Sequence, residues 1–187
     1  ATAALGIIVG TLHHPLRQTV LSELAVRDGP LARAVVQNED EQVCCQATQS
    51  LGFVGSDAVL PVLESLSRDE DSEVRQEAVL ALAAIGTQPA IELMAACLDD
   101  PTYRVASTVL DMLAARLGAN SMAFLEHLEN AVKHPVVEVR RQAVLMLDRF
   151  DAHSILHVLR EVSGDADFEV ARRAGEILRK VSGERQL

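Results

Sequence analysis

The sequence predicts an all-α fold, a stack of about six helix pairs, and three observations carry that reading. Of 187 residues, 26 are Ala, 25 Leu, 22 Val and 6 Ile, against four Phe, one Tyr and no Trp. A core of such small aliphatic side chains suits thin layers of packed helices and argues against a disordered chain. The second observation is a repeat: Glu73 to Leu82 and Glu138 to Leu147 both read Glu-Val-Arg-x-x-Ala-Val-Leu-x-Leu. The third is its punctuation, with Asp ahead of the pattern and Gly behind it.

Taking Val74 and Val139 as first positions, the fifth are Ala78 and Ala143 and the ninth Leu82 and Leu147. Spacings of four place these on one helical face. The frame also fits Val43, Ala47 and Leu51, and Val170, Ala174 and Leu178. Leu16, Val20 and Leu24 form a weaker copy, and a degenerate one opens at Tyr103-Arg104 with Asp111 in ninth place. First positions at 16, 43, 74, 103, 139 and 170 recur on average every ~31 residues. Gly29, Gly55, Gly86, Gly118 and Gly183 follow the last apolar residues of five copies, where a left-handed residue ends a helix. Asp40, Asp71, Asp100 and Asp167 stand three residues before a first position, where a carboxylate can accept free N–H groups.

Between these inner helices lie shorter apolar patterns, Ala58 to Leu66, Pro89 to Leu98, Met122 to Val132 and Ile155 to Val162, which predict outer helices. Each repeat is then an outer helix, an Asp-rich turn and an inner helix, and a lone pair cannot bury its apolar face. No segment alternates as a strand would. The expected repeats are 1–29, 30–55, 56–86, 87–118, 119–150 and 151–187 of a single domain.

The pattern Asp-x-x-Val-Arg-x-x-Ala-x-x-x-Leu, followed by Gly and a second amphipathic helix, resembles the HEAT-like repeat in the short form of phycobilisome lyase subunits. The resemblance covers essentially the whole chain. It implies a right-handed α-solenoid whose inner helices line a concave, partner-holding surface, with the second-position Arg pairing turn Asp residues along the stack. Arg17, Arg75, Arg104 and Arg140 keep that Arg, whereas Cys44 and Ala171 replace it. Iron-dependent hydroxylases of this type use His-Glu dipeptides as ligands, and the chain has none. DNA glycosylases of this type use a basic groove with Trp, whereas this chain has no Trp and a net charge of −10. The resemblance leaves open a partner-dependent enzyme subunit of bilin lyase or related protein-modifying type, and a regulatory domain of a larger transporter or assembly.

The residues themselves name no catalytic group, cofactor or metal. His153, His157 and Glu161 have metal-ligand spacing, but the apolar face of Ile155, Leu156, Leu159 and Val162 leaves them on the solvated side. Cys44 and Cys45 lack a neighbouring base that would activate a thiol, so packing is expected of them. Arg172, Arg173, Arg179 and Lys180 could bind an anion, but Glu169 with Arg173 and Glu176 with Lys180 are four-apart pairs that read as a charged cap. Residues 61–132 carry four basic and twelve acidic side chains. That excess reads either as a solvated surface or as attraction for a protein partner with a basic surface. Nucleic acid is not an expected partner for an acidic chain.

A noncatalytic interaction or scaffold module is therefore the leading expectation, its partner held on the third and seventh positions of the inner helices. The residues nominated are Gln76, Leu80, Val109, Arg141, Leu145, Arg172 and Glu176, with Leu80, Val109 and Leu145 as either an exposed apolar row or ordinary core. No apolar run reaches the ~18 residues of a membrane span, and three Cys suggest no disulfide framework, so a cytoplasmic location is expected. The first sixteen residues contain no charged side chain, which predicts a segment docked on another surface or a chain cut from a longer one.

Overall fold

A computed structural model describes Thr48, Leu51 and residues 57–183. Among these residues eight α-helices occur and no strand: α1 Leu60–Leu66, α2 Ser72–Ile85, α3 Gln88–Ala96, α4 Tyr103–Leu117, α5 Met122–Ala131, α6 Val137–Leu147, α7 Ala152–Val162 and α8 Phe168–Ser182. Short 3₁₀ turns stand at Asp57–Val59 and Cys97–Asp99. Outer helices α1, α3, α5 and α7 thus alternate with inner helices α2, α4, α6 and α8, the construction of an α-solenoid. The chain divides into two compact units, Ala1–Cys97 and Leu98–Leu187.

In the first unit, α1 starts with Pro61 in its opening turn, where a missing N–H costs nothing. It buries Leu60, Val62, Leu63 and Leu66. α2 is capped by Asp71, whose side chain accepts the Glu73 N–H, and ends at Gly86 with φ 67°, a left-handed turn. It turns Val74, Ala78, Val79 and Leu82 inward, and packs on both α1 and α3. Thr87, ahead of α3, donates its hydroxyl to Asp57 at 2.6 Å.

In the second unit, α4 packs on α5 and α6, and α8 packs on α6 and α7. Ser121 caps α5 through the Phe124 N–H, and Asp151 caps α7 through the N–H groups of His153 and Ser154. Asp167 caps α8 through Val170. The core is mainly aliphatic, with Phe124 and Phe150 stacked obliquely, centroids 6.4 Å apart, and with His134 buried as well.

Three expectations need correction. Asp100 does not cap an inner helix: Thr102 holds the N-cap of α4, and Asp100 sits two residues earlier, accepting the Thr102 N–H at 2.8 Å. The frame of that copy therefore starts at Val105, not Tyr103. Its first, fifth and ninth positions are Val105, Val109 and Leu113, all fully buried. First positions then fall at 74, 105, 139 and 170. Lastly, Gly118 ends α4 with φ 90° and ψ 127°, outside the left-handed helical turn that Gly86 and Gly183 adopt. The expectations for Arg17, Cys44, Cys45, Gly29, Gly55 and the first sixteen residues lie outside the described residues.

Candidate functional site

The new frame redistributes the nominated residues. Val109 is a fifth-position core side chain with no exposed surface, so it cannot contact a partner. The seventh position of α4 is Asp111, which is exposed and breaks the proposed apolar row. Leu80 is half-buried, whereas Leu145 leaves 54% of its surface open. Leu145 is one of three large apolar side chains exposed on the described inner helices; Tyr103 at 43% and Phe168 at 77% open α4 and α8, whereas Leu145 lies within α6 between the buried Val144 and Met146.

The remaining third and seventh positions of α6 and α8, Arg141, Arg172 and Glu176, are polar and paired. Gln142 donates to Asp111 at 3.2 Å. Arg141 grips Asp167 with two bonds of 3.0 and 2.7 Å. That grip, ahead of burial, which opposes it, and of the Val170 N–H, holds the Asp167 carboxyl well below its ordinary value, at about 2. Arg172 binds both Glu169 and Glu176, and Arg173 binds Glu169 at 3.2 Å. Glu169 is lowered first by Arg172, while burial raises it. The expected Glu176–Lys180 pair is not formed: Lys180 reaches back to Asp148, the C-cap of α6, at 2.8 Å. Three members of the basic cluster are thus spent on carboxylates, Arg179 donates to the Gly175 carbonyl, and Arg172 and Glu176 form one polar patch.

A second constellation lies in the turns before the inner helices. Residues two before each N-cap, Asp69, Asp100, His134 and Asp165, accept the cap residue's N–H at 3.0, 2.8, 3.1 and 2.7 Å. Four residues after the cap stand Arg75, Ala106, Arg140 and Ala171. Arg75 and Arg140 each donate to the two carbonyls of their own turn, and Arg140 adds a bidentate pair to Asp165 at 2.9 and 3.0 Å. Arg104, taken above as a ladder residue, stands outside this position; Ala106 occupies it. Burial pushes the Asp165 carboxyl up, but Arg140 and the Asp167 N–H outweigh that and hold it low. Beside this pair lies a recess of about 360 Å³ lined by Lys133, His134, Arg140, Glu161 and Asp165 among others. Its charges are already matched, Lys133 to Glu161 at 3.2 Å and Arg140 to Asp165.

The turn series escaped the repeat alignment, although Asp69-Glu-Asp71, Asp100-Pro-Thr102, His134-Pro-Val136 and Asp165-Ala-Asp167 give it away once aligned on the caps. His153, His157 and Glu161 do not converge. His157 pairs with Glu129 at 3.1 Å, Glu161 with Lys133, and no group of three metal-ligating side chains occurs among the described residues. Cys97, the C-cap of α3, donates its thiol to the Leu93 carbonyl of that helix.

The sequence matches the family model of HEAT repeats over residues 29–114. A comparison with curated proteins finds no match. Among solved structures, the chain is similar to an archaeal HEAT-like repeats protein from Thermococcus onnurineus, with 15% identity, TM-score 0.44, and coverage of 100% of this chain and 82% of that one. It is also similar to a designed armadillo repeat protein in complex with a (KR)4 peptide, at 17% identity and TM-score 0.45 over 95% and 98% of the two chains. A third likeness is to the CpcE and CpcF complex of phycocyanin lyase from Nostoc, with 19% identity, TM-score 0.45, and coverage of 86% and 69%. These likenesses are distant, and the fold rests on the helix pairs themselves. The match over residues 29–114, together with helix pairs and turns that recur as far as α8, makes the chain similar to HEAT-like repeat proteins.

Proposed function

We propose that this chain is a noncatalytic interaction module of the cytoplasm, binding a protein segment across its inner-helix face with Leu145 as the apolar anchor. The observation that carries the reading is Leu145 itself, 54% exposed at a seventh position whose counterparts on α4 and α8, Asp111 and Glu176, are polar. Held rotamers lower the entropy lost on binding, so such a face is prepared for a partner that buries one apolar side chain on Leu145. Arg141, Arg172 and Glu176 hold third and seventh positions on α6 and α8, and Gln76 and Leu80 hold the same frame positions on α2. A partner with a basic surface would suit the first unit, where residues 57–97 carry eight acidic and two basic side chains. No helix among the described residues is long and apolar enough to cross a membrane.

The test is a tagged pull-down of the wild-type chain and a Leu145→Asp variant, followed by titration calorimetry with the partner recovered. Affinity should fall at least about tenfold, the scale of a lost anchor, with Tm unchanged because the residue is exposed. Equal affinity for the two chains refutes the site, and recovery of a product-bearing substrate protein would favour an enzyme subunit.

A further inference from the structure

Two successive joints of the second unit are built differently. Where the α5–α6 pair meets α7–α8, five polar bridges cross: Arg140–Asp165, Arg141–Asp167, Lys180–Asp148, His157–Glu129 and Lys133–Glu161. The first of these is bidentate, withdrawn from solvent and strapped to two carbonyls. Where α4 meets the α5–α6 pair, the corresponding positions hold Ala106, which offers no side-chain donor, and His134, which offers no carboxylate. Both members of the pair have changed together. His134 still accepts the Val136 N–H through Nδ1, so its Nε2 carries the proton, and that buried atom has no partner. Gln142 to Asp111 is the described side-chain bridge across this joint, made by an uncharged amide. The chain connecting the two inner helices is also longer, 34 residues between first positions Val105 and Val139 against 31 between Val139 and Val170.

Directional, charge-assisted bonds hold one register and resist sliding, whereas apolar contacts are non-directional and let packed helices shear. We infer that the joint between α4 and the α5–α6 pair is the compliant joint of the second unit, where its inner-helix face changes curvature, and that Arg140–Asp165 locks the next joint. This stands apart from the identity of any partner.

The experiment is native-state hydrogen exchange on the full chain, comparing two N–H groups in equivalent turns: Val136, bonded to His134, and Asp167, bonded to Asp165. Val136 should show a protection factor at least about tenfold lower, although Arg140 straps its turn to α6, since no ion pair among the described residues ties that turn to α4. Equal or greater protection at Val136 overturns the inference. A transplant decides it a second time: Arg140→Ala with Asp165→His installs the α4 joint's pair at the locked joint. Protection at Asp167 should then fall about tenfold towards the Val136 value, with α7 and α8 still helical by circular dichroism. Undiminished protection would show that the ion pair does not hold the joint.

Discussion

Removing the Arg140 guanidinium tests the most connected polar group described in the structure. In Arg140→Ala four hydrogen bonds vanish, two to Asp165 and one each to the His134 and Pro135 carbonyls. What remains is a carboxylate whose side chain is only 12% exposed, with the Asp167 N–H as its described hydrogen-bond partner. Exposed ion pairs contribute about 0–1 kcal/mol, but breaking a buried one strands a charge at about 3–5 kcal/mol. Arg140 keeps 16% of its side-chain surface in solvent, so the lower end applies, about 3 kcal/mol. For a chain of this length that lowers Tm by about 6–12 °C. Urea unfolding at neutral pH, followed by far-ultraviolet circular dichroism, measures the change. The second arm is Arg140→Ala with Asp165→Asn, which removes the stranded charge and should recover about 1 kcal/mol or more. A cost below about 1 kcal/mol for Arg140→Ala, the value of a surface pair, would refute the ladder argument, as would a double variant no better than the single one.

Leu147→Ala, at a fully buried ninth position, should cost about 3 kcal/mol through lost transfer energy and a cavity. Leu145→Ala two residues earlier should cost under about 0.5 kcal/mol, and similar values for the two would contradict the assigned face. Gly86→Ala, forced to keep φ 67°, should lose about 1 kcal/mol by urea unfolding. Asp151→Ala removes the acceptor of two N–H groups at the start of α7 and should cost about 1 kcal/mol. Asp167 is lowered on folding, so its contribution is complete above the ordinary carboxylate range and fades as pH falls through about 2. Carboxyl NMR should find its midpoint near 2, and Arg141→Ala should move that midpoint upward; no movement would mean that Arg141 is not the cause.

The fold was legible because the inner helices repeat their buried stripe, and a stripe of Val, Ala and Leu four apart has few other uses. Outer helices were legible from shorter apolar patterns, and α7 begins three residues before the predicted Ile155 because Asp151 supplies a cap that periodicity does not see. The α4 copy was misframed for a definite physical reason. Asp can accept an N–H either at the cap, as Asp71 does, or two residues earlier, as Asp100 does, and both positions read as Asp before a helix. Reading Asp100 as the cap shifted the frame by two, which carried Val109 to the surface and Arg104 into the ladder. Hydrophobic content alone would have corrected it, since Val105, Val109 and Leu113 form a cleaner stripe than Tyr103, Ser107 and Asp111.

The same shift explains why the candidate site was only half readable. Third and seventh positions were assigned by counting, and counting succeeds on α6, where the cap is followed three residues later by Val139. It fails where one frame error turns core into face. Leu145 then acquires a different meaning. In the sequence it was one member of an apolar row, a pattern that core and binding surface share. In the structure its row partners are a buried Val109 and a half-buried Leu80, so of the three it alone is open to solvent, and the seventh positions of α4 and α8 beside it in the frame are the polar Asp111 and Glu176. A row would favour a long amphipathic helix laid along the face, whereas a single anchor favours a short segment that places one apolar side chain and lets its backbone meet the charged rim. The two differ in how affinity responds to truncating the partner. A short segment keeps nearly all its affinity when trimmed to the residues flanking its anchor, whereas an amphipathic helix loses affinity with each turn removed.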